Sequence, residues 1–223
     1  MTNKTYNQYC AIAHTLDLVG DRWTLLIVRN LLLGPRRFSD LMKGLPGVST
    51  NILTERLKLL EENSVVHTRY LPPPAASSVY ELTERGYGLA DVLSALARWG
   101  SLTLGQPAAS QYIVPEAIGF MVMGVFRRVN YPSIQLLVDL HIVDRLMDAH
   151  YTVALSSEGV NLTDGIPAHP QLTLQVDLDQ LSALSSGRNS LKQVIEAGNA
   201  HMQGSPELIL NLVNWVDGRA NPQ

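Results

Sequence analysis

The sequence predicts an α+β chain of two domains, and three observations carry that prediction. Residues 36–63, RRFSDLMKGLPGVSTNILTERLKLLEEN, read as two helices across a tight turn. Two short β-rich runs follow, VVHTRY and VYELT. Beyond about residue 105 the pattern changes to a helix, successive strands and further helices. A length of 223 residues with 46% hydrophobic content lets two domains of ordinary size each bury a core.

In the first of these stretches Phe38, Leu41 and Leu45 recur at helical spacing, Pro46-Gly47 breaks the pattern, and Leu53, Leu57 and Leu60 resume it. Ser49 is placed to cap the second helix. At about 100° per residue the leucines share one stripe, while Asn51, Thr54, Glu55 and Lys58 fall roughly opposite. In a helix-turn-helix the N-terminal part of the second helix enters the major groove, where an Asn pairs with adenine and a Thr methyl meets thymine. Arg36 and Arg37 precede the first helix, where cations hold phosphates and set register. An αα-hairpin in an unrelated helical core explains the same stretch equally well when it is taken alone, so the flanking chain decides.

Upstream, Ile12, Leu16 and Val19 give a short helix ending at Gly20, and Asp21 is placed to cap the next, RWTLLIVRNLLL, closed by Gly34-Pro35. This second helix is apolar on nearly every side and is expected at the centre of its domain. Downstream, the two β-rich runs around LPPPAASS form a hairpin, a wing. Thr83 then caps a helix with Leu89, Leu93 and Leu96 on one stripe, ending at Trp99-Gly100. This order of elements makes a winged helix.

The formal charge is −3 and the pI about 6.0, which by themselves argue against a nucleic-acid binder. The average conceals an asymmetry. Residues 1–100 carry eleven Lys and Arg against nine Asp and Glu, and the remainder six against eleven. A single cysteine allows no internal disulfide and fits a reducing compartment. Without a signal-like start or a long apolar run, the expectation is a cytoplasmic protein with no membrane partner.

The run from Cys10 to Asn63, followed by VYELTERG and ALARWG, closely resembles the HxlR family of bacterial transcriptional regulators over about residues 9–100. The resemblance implies a dimeric DNA-binding winged helix, with the dimer built mainly from the first and last helices of the domain. On the matching positions, Arg36, Arg37, Ser49, Thr50, Asn51, Thr54, Lys58 and Arg69 are the candidate DNA contacts. Two departures stand out. Asn63-Ser64 replaces the usual Asp-Gly-like turn before the wing, and the loop PPPAASS lacks the arginine common before the second strand, leaving Arg69 as the nearby cation. Cys10 occupies a position where some members carry a thiol that senses oxidants or electrophiles. Its neighbours Tyr9 and Ala11 supply no cation to activate it, so a structural cysteine near the dimer seam is the favoured expectation.

In the second half, SLTLGQPAASQY reads as a linker region, with domains at 1–104 and 113–223 and a linker at 105–112. PEAIGFMVMGVFRRV is an apolar helix started by proline, whose Arg127-Arg128 complements the helix dipole. SIQLLVDLHIV, YTVALSSE, GVNLTDG and QLTLQVD are expected strands. Then come two short helices, a last strand AHMQG, and a closing helix with Leu208, Leu212 and Trp215 on one face. About residues 133–217 resemble the sterol carrier protein type of lipid-binding domain. That resemblance implies a sheet covered by helices around an apolar tunnel, with Leu208, Leu212 and Trp215 as candidate lining. For any one of the three taken alone, packing in a solid core is the favoured explanation.

GxSxG, GxGxxG and phosphate-loop patterns are absent from the sequence, and its six histidines look scattered, none paired at metal-ligand spacing. Neither catalysis nor a cofactor is expected. The features together predict a cytoplasmic transcriptional regulator whose partners are double-stranded operator DNA, a second copy of the chain and a small apolar ligand in the C-terminal domain. Two other readings remain open: a regulator switched through the Cys10 thiol, and a lipid or acyl carrier with an attached DNA-binding module.

Overall fold

A computed structural model describes residues 5–74, 76–108, 110–126, 136–157 and 159–218. The chain divides into two compact units: one runs to Leu93 and includes Tyr112–Phe120, and the other comprises Ser94–Gln111 and the chain from Met121 onward.

In the first unit, α1 (Ala11–Val19), α2 (Thr24–Leu31), α3 (Phe38–Lys43) and α4 (Thr50–Glu62) precede the antiparallel hairpin β1 (Val66–Leu71) and β2 (Ser77–Leu82). A short α5 (Glu84–Tyr87) follows, and the long α6 (Leu89–Leu104) begins in this unit and continues in the other. Helix α2 is central as expected, with Ile27, Val28 and Leu31 fully buried. Around it the core gathers Leu41, Leu45, Leu53, Leu57, Leu60, Val65 and Leu82, a contiguous apolar cluster of the kind that holds a small domain together.

Three local expectations are corrected, and two apolar stripes are only partly buried in this core. The stripe of α1 faces it only in part, for Ile12 is 71% exposed and Leu16 45%, and only Val19 and Ala13 are buried. Asp21 does not cap α2, which begins after Trp23; the Asp21 carboxylate turns instead to Arg56 on α4. Thr83 caps the four-residue α5 rather than α6, its Oγ1 accepting from Gly86 N at 3.1 Å. Helix α6 also runs past Trp99-Gly100 to Leu104, since one glycine costs only about 1 kcal/mol in a helix and good formers flank it. Its stripe splits as well: Leu93 is buried, whereas Leu96 is exposed.

The wing is anchored at its base by three contacts. Thr83 N donates to Val65 O at 3.1 Å, and Thr83 Oγ1 donates to Ser64 O at 2.6 Å. Gly86 packs so closely that a Cβ there would lie 2.2 Å from Val65 O. Only glycine fits that approach, which accounts for the glycine of VYELTERG.

The second unit holds a five-stranded sheet of order β5-β4-β3-β6-β7: β3 (Leu136–Asp144), β4 (Met147–Ser156), β5 (Gly159–Asp164), β6 (Leu172–Val176) and β7 (Ala200–Gly204). Neighbours are antiparallel except β3 and β6, which are parallel. Helices α8 (Leu178–Ser186), α9 (Leu191–Glu196) and α10 (Pro206–Asp217) lie against it. Alternation sets the two faces. Val138, Leu140, Ile142, Tyr151, Val153, Leu155, Leu172, Leu174 and Val176 are buried on one, while Asp139, His141, His150, Thr152, Thr173 and Gln175 share the other. Helix α7 (Pro115–Phe126) starts with proline as read, and its C-terminal residues Val122, Val125 and Phe126 are buried. Arg127-Arg128 and the start of the SIQLLVDLHIV run lie outside the described residues. Among those described, no helix is long and apolar enough to cross a membrane.

Candidate nucleic-acid interface

The helix-turn-helix is built from α3, the segment between Gly44 and Ser49, and α4. Gly44 closes α3 by donating its N–H to Asp40 O at 3.0 Å, and Val48 N bonds Leu45 O at 3.1 Å to tighten the turn. Gly47 has φ +90, a conformation that β-carbons disfavour, which explains Pro-Gly here. Ser49 starts α4 in an extended conformation, its Oγ accepting from Ile52 N at 3.3 Å.

From below, the turn is held by buried polar groups. Asn30 of α2 donates from Nδ2 to Gly44 O at 3.4 Å and accepts from Arg29 at 3.0 and 2.8 Å. Burial pushes the Arg29 guanidinium below its ordinary pKa, and Glu116 in the first turn of α7 opposes that shift.

Leu53, Leu57 and Leu60 are at most 1% exposed, so α4 is clamped by one stripe. Thr50, Asn51, Thr54, Glu55 and Lys58 are exposed on the remaining surface. Lys58 carries a weak contact to Glu62 at 3.7 Å. Arg56 belongs to neither set: its guanidinium pairs with Asp21 and reaches Glu55 at 3.3 Å.

Ahead of α3, Arg36 and Arg37 differ from one another. Arg36 is stitched to the wing by a backbone bridge to Tyr80, with N–H···O distances of 3.0 and 2.8 Å, and its Nε is buried. Arg37 is exposed at the N-cap of α3, where its backbone N–H donates to Asp40 Oδ2 at 3.2 Å. On the wing, Arg69 Nε donates to Glu81 Oε2 at 2.7 Å across the β1–β2 ladder. Cys10 is exposed at the N-cap of α1, and the backbone N–H groups of Ala13 and Ile12 hold its thiol below the usual cysteine value. In α10, Leu212 is fully buried, while Leu208 and Trp215 are half-buried on the same helix.

Sequence reasoning missed two groupings. The Asp21–Arg56 pair joins residues 35 apart, a separation that carries no local signal. His141 and His150, read as scattered, are directly opposed across β3 and β4. Counting symmetrically outward from the turn in HIVDRLMDAH would have paired them.

A helix-turn-helix with a wing, presenting a polar helix face on a buried apolar stripe, defines a DNA-binding protein. The HxlR-like helix-turn-helix family matches residues 18–107. An uncharacterized HTH-type transcriptional regulator of Synechocystis is 38% identical over 97 residues, covering 44% of this chain and 72% of that one. The HTH-type transcriptional regulator YodB of Bacillus subtilis is 39% identical over 83 residues, covering 37% and 74%. A solved structure of YodB in its reduced form is 32% identical, covers 45% of this chain and 100% of that one, and has a TM-score of 0.39. The chain belongs to the HxlR-like helix-turn-helix family and is a DNA-binding transcriptional regulator.

Proposed function

We propose that this cytoplasmic regulator binds double-stranded operator DNA as a homodimer, with the N-terminal half of α4 in the major groove and Arg37 on the phosphate backbone. The observation that carries the reading is the exposed row of Asn51, Thr54 and Lys58 over the buried Leu53, Leu57 and Leu60. Asn51 serves as the base reader, and Ser49 and Thr50 sit where a helix N-terminus meets phosphate. Arg69 is already paired with Glu81, and Arg36 is bridged to Tyr80 through its backbone with its side-chain Nε buried, so both play the smaller part. The dimer is supported by apolar side chains left outside: Tyr9, Ile12 and Leu16 on or beside α1, and Val92, Leu96, Trp99 and Leu102 on α6.

In this proposal the chain comprises a DNA-binding domain at 1–104 and a sterol-carrier-like domain at 113–223 that takes a small apolar ligand. Its support is the sequence resemblance and the run of Leu208, Leu212 and Trp215 along α10. The ligand alters operator affinity only by binding one dimer geometry better than the other.

Footprinting and selection from random DNA test the docking. The expected result is two half-sites related by a dyad and spaced by about one helical turn or a multiple. Asn51→Ala should relax preference at one base pair per half-site and cost about 1 to 3 kcal/mol there. A single unrepeated half-site, or an unchanged preference in Asn51→Ala, would overturn the reading.

A second reading makes Cys10 the switch. Its exposure and lowered thiol pKa favour it, and a solved structure of YodB is described as quinone-bound. Alkylating Cys10 separates the two: under the first reading operator affinity stays the same, and under the second it changes.

A further inference from the structure

The polar face of the five-stranded sheet carries a cluster that DNA binding does not use. His141 of β3 and His150 of β4 are register partners, and their rings stack with centroids 4.0 Å apart and planes 8° from parallel. Asp148, two residues before His150, leans over the same face, with Oδ1 at 2.7 Å from His141 Nε2. One ligand atom from each of His141, Asp148 and His150 can be chosen so that all lie within 4.8 Å of one another.

A fourth residue distinguishes this cluster from an ordinary polar patch. Asp139 is 6% exposed, and its Oδ1 accepts from His150 Nδ1 at 2.9 Å. A carboxylate on one imidazole nitrogen fixes the tautomer and leaves the other nitrogen's lone pair facing outward. That is the arrangement by which proteins orient histidines toward a metal. The remaining edges are accessible: the side chains of His141, His150 and Asp148 are 22%, 28% and 74% exposed.

We propose that His141, Asp148 and His150 bind a divalent cation of the zinc class, with Asp139 as the residue that positions His150. Two imidazoles and one carboxylate match a borderline cation such as Zn²⁺, and are poorly matched to Mg²⁺ or Ca²⁺, which take oxygen donors. With metal–ligand bonds of about 2.1 Å, tetrahedral geometry sets the ligand atoms about 3.4 Å apart. From the 4.8 Å limit the cluster reaches that spacing by a contraction of at most about 1.4 Å, through tilting of the His141 ring out of the stack and away from its hydrogen bond to Asp148. Water completes the coordination. The ligands come from paired strands of one hairpin, so the site stands whatever the fate of the operator or apolar-ligand readings.

The test uses the untagged full chain carrying Cys10→Ser, so that a thiol cannot supply the binding. Titration calorimetry with Zn²⁺ alone should show one ion per chain, undisturbed by a hundredfold excess of Mg²⁺. Asp148→Ala, at an exposed position that leaves folding intact, should weaken binding at least tenfold, and His150→Gln should abolish it. Asp139→Asn should weaken it about 10- to 100-fold and alter the Co²⁺ absorption spectrum, a readout that a purely structural role would not move. His169→Gln, at an exposed loop residue that is not among the three ligands, should change nothing. Zn²⁺ affinity unchanged in both Asp148→Ala and His150→Gln, or the absence of stoichiometric binding in the Cys10→Ser chain, would overturn the proposal.

Discussion

Arg56, on α4, the second helix of the helix-turn-helix, is ion-paired to Asp21 in the segment between α1 and α2. The guanidinium is 18% exposed and its partner carboxylate 57%. The pair therefore ties α4 back to its own domain, and the cation is spoken for before any DNA arrives.

This separates two arginines by measurement. Arg37→Ala should flatten the slope of log affinity against log salt by about one unit and weaken all sequences alike. Arg56→Ala should leave the slope unchanged while lowering stability by less than about 1 kcal/mol, as partly exposed pairs do. Salt titrations of operator binding read both effects, and a flattened slope in Arg56→Ala would show the pair opening on DNA.

Gly86→Ala should cost about 1 to 3 kcal/mol, because the new Cβ would meet backbone rather than a yielding side chain. Val65 O is 2.2 Å from that position. Denaturant unfolding measures the cost, and a loss under about 0.5 kcal/mol would mean that α5 moves freely against the wing base.

On α10, Leu212→Ala should cost about 2 to 5 kcal/mol, since the side chain is fully buried. Trp215 is half-buried, so Trp215→Ala should cost less than its size suggests and should weaken the shift in melting temperature caused by an apolar extract of the host. If Trp215→Ala costs as much as a fully buried aromatic and no extract shifts either protein, the ligand role of this helix falls.

Alkylation of Cys10 should follow the thiolate. Because backbone N–H groups stabilise the anion, the rate should rise with pH through a midpoint below that of a free cysteine, about 8.5. Stopped-flow reaction with a maleimide between pH 6 and 10 gives the profile. A midpoint at or above the free value would remove the electrostatic basis for a thiol switch.

The parts of this protein legible in its sequence are those fixed by neighbours along the chain. Ser49 capping α4 and the spacing of Leu53, Leu57 and Leu60 both lie within one helix, and both were found. The stripe of Ile12 and Leu16 was visible too, but an apolar stripe states only that something covers it. Nothing local says whether that cover is the same chain. His141 and His150 are nine positions apart and become partners only through strand register, which a one-residue slip would destroy. Asp21 was read as a helix cap because capping is the common fate of an aspartate after a glycine, and a partner 35 residues away outcompeted that role.

Helix α4 holds two cations, Arg56 and Lys58, against three carboxylates, Glu55, Glu61 and Glu62, and both cations have acidic partners. Such a helix displaces few counterions when it meets DNA of arbitrary sequence, and that displacement supplies most of the grip on non-cognate sites. The salt-dependent part of any grip on DNA therefore falls to cations outside this helix, among them Arg37, exposed at the N-cap of α3.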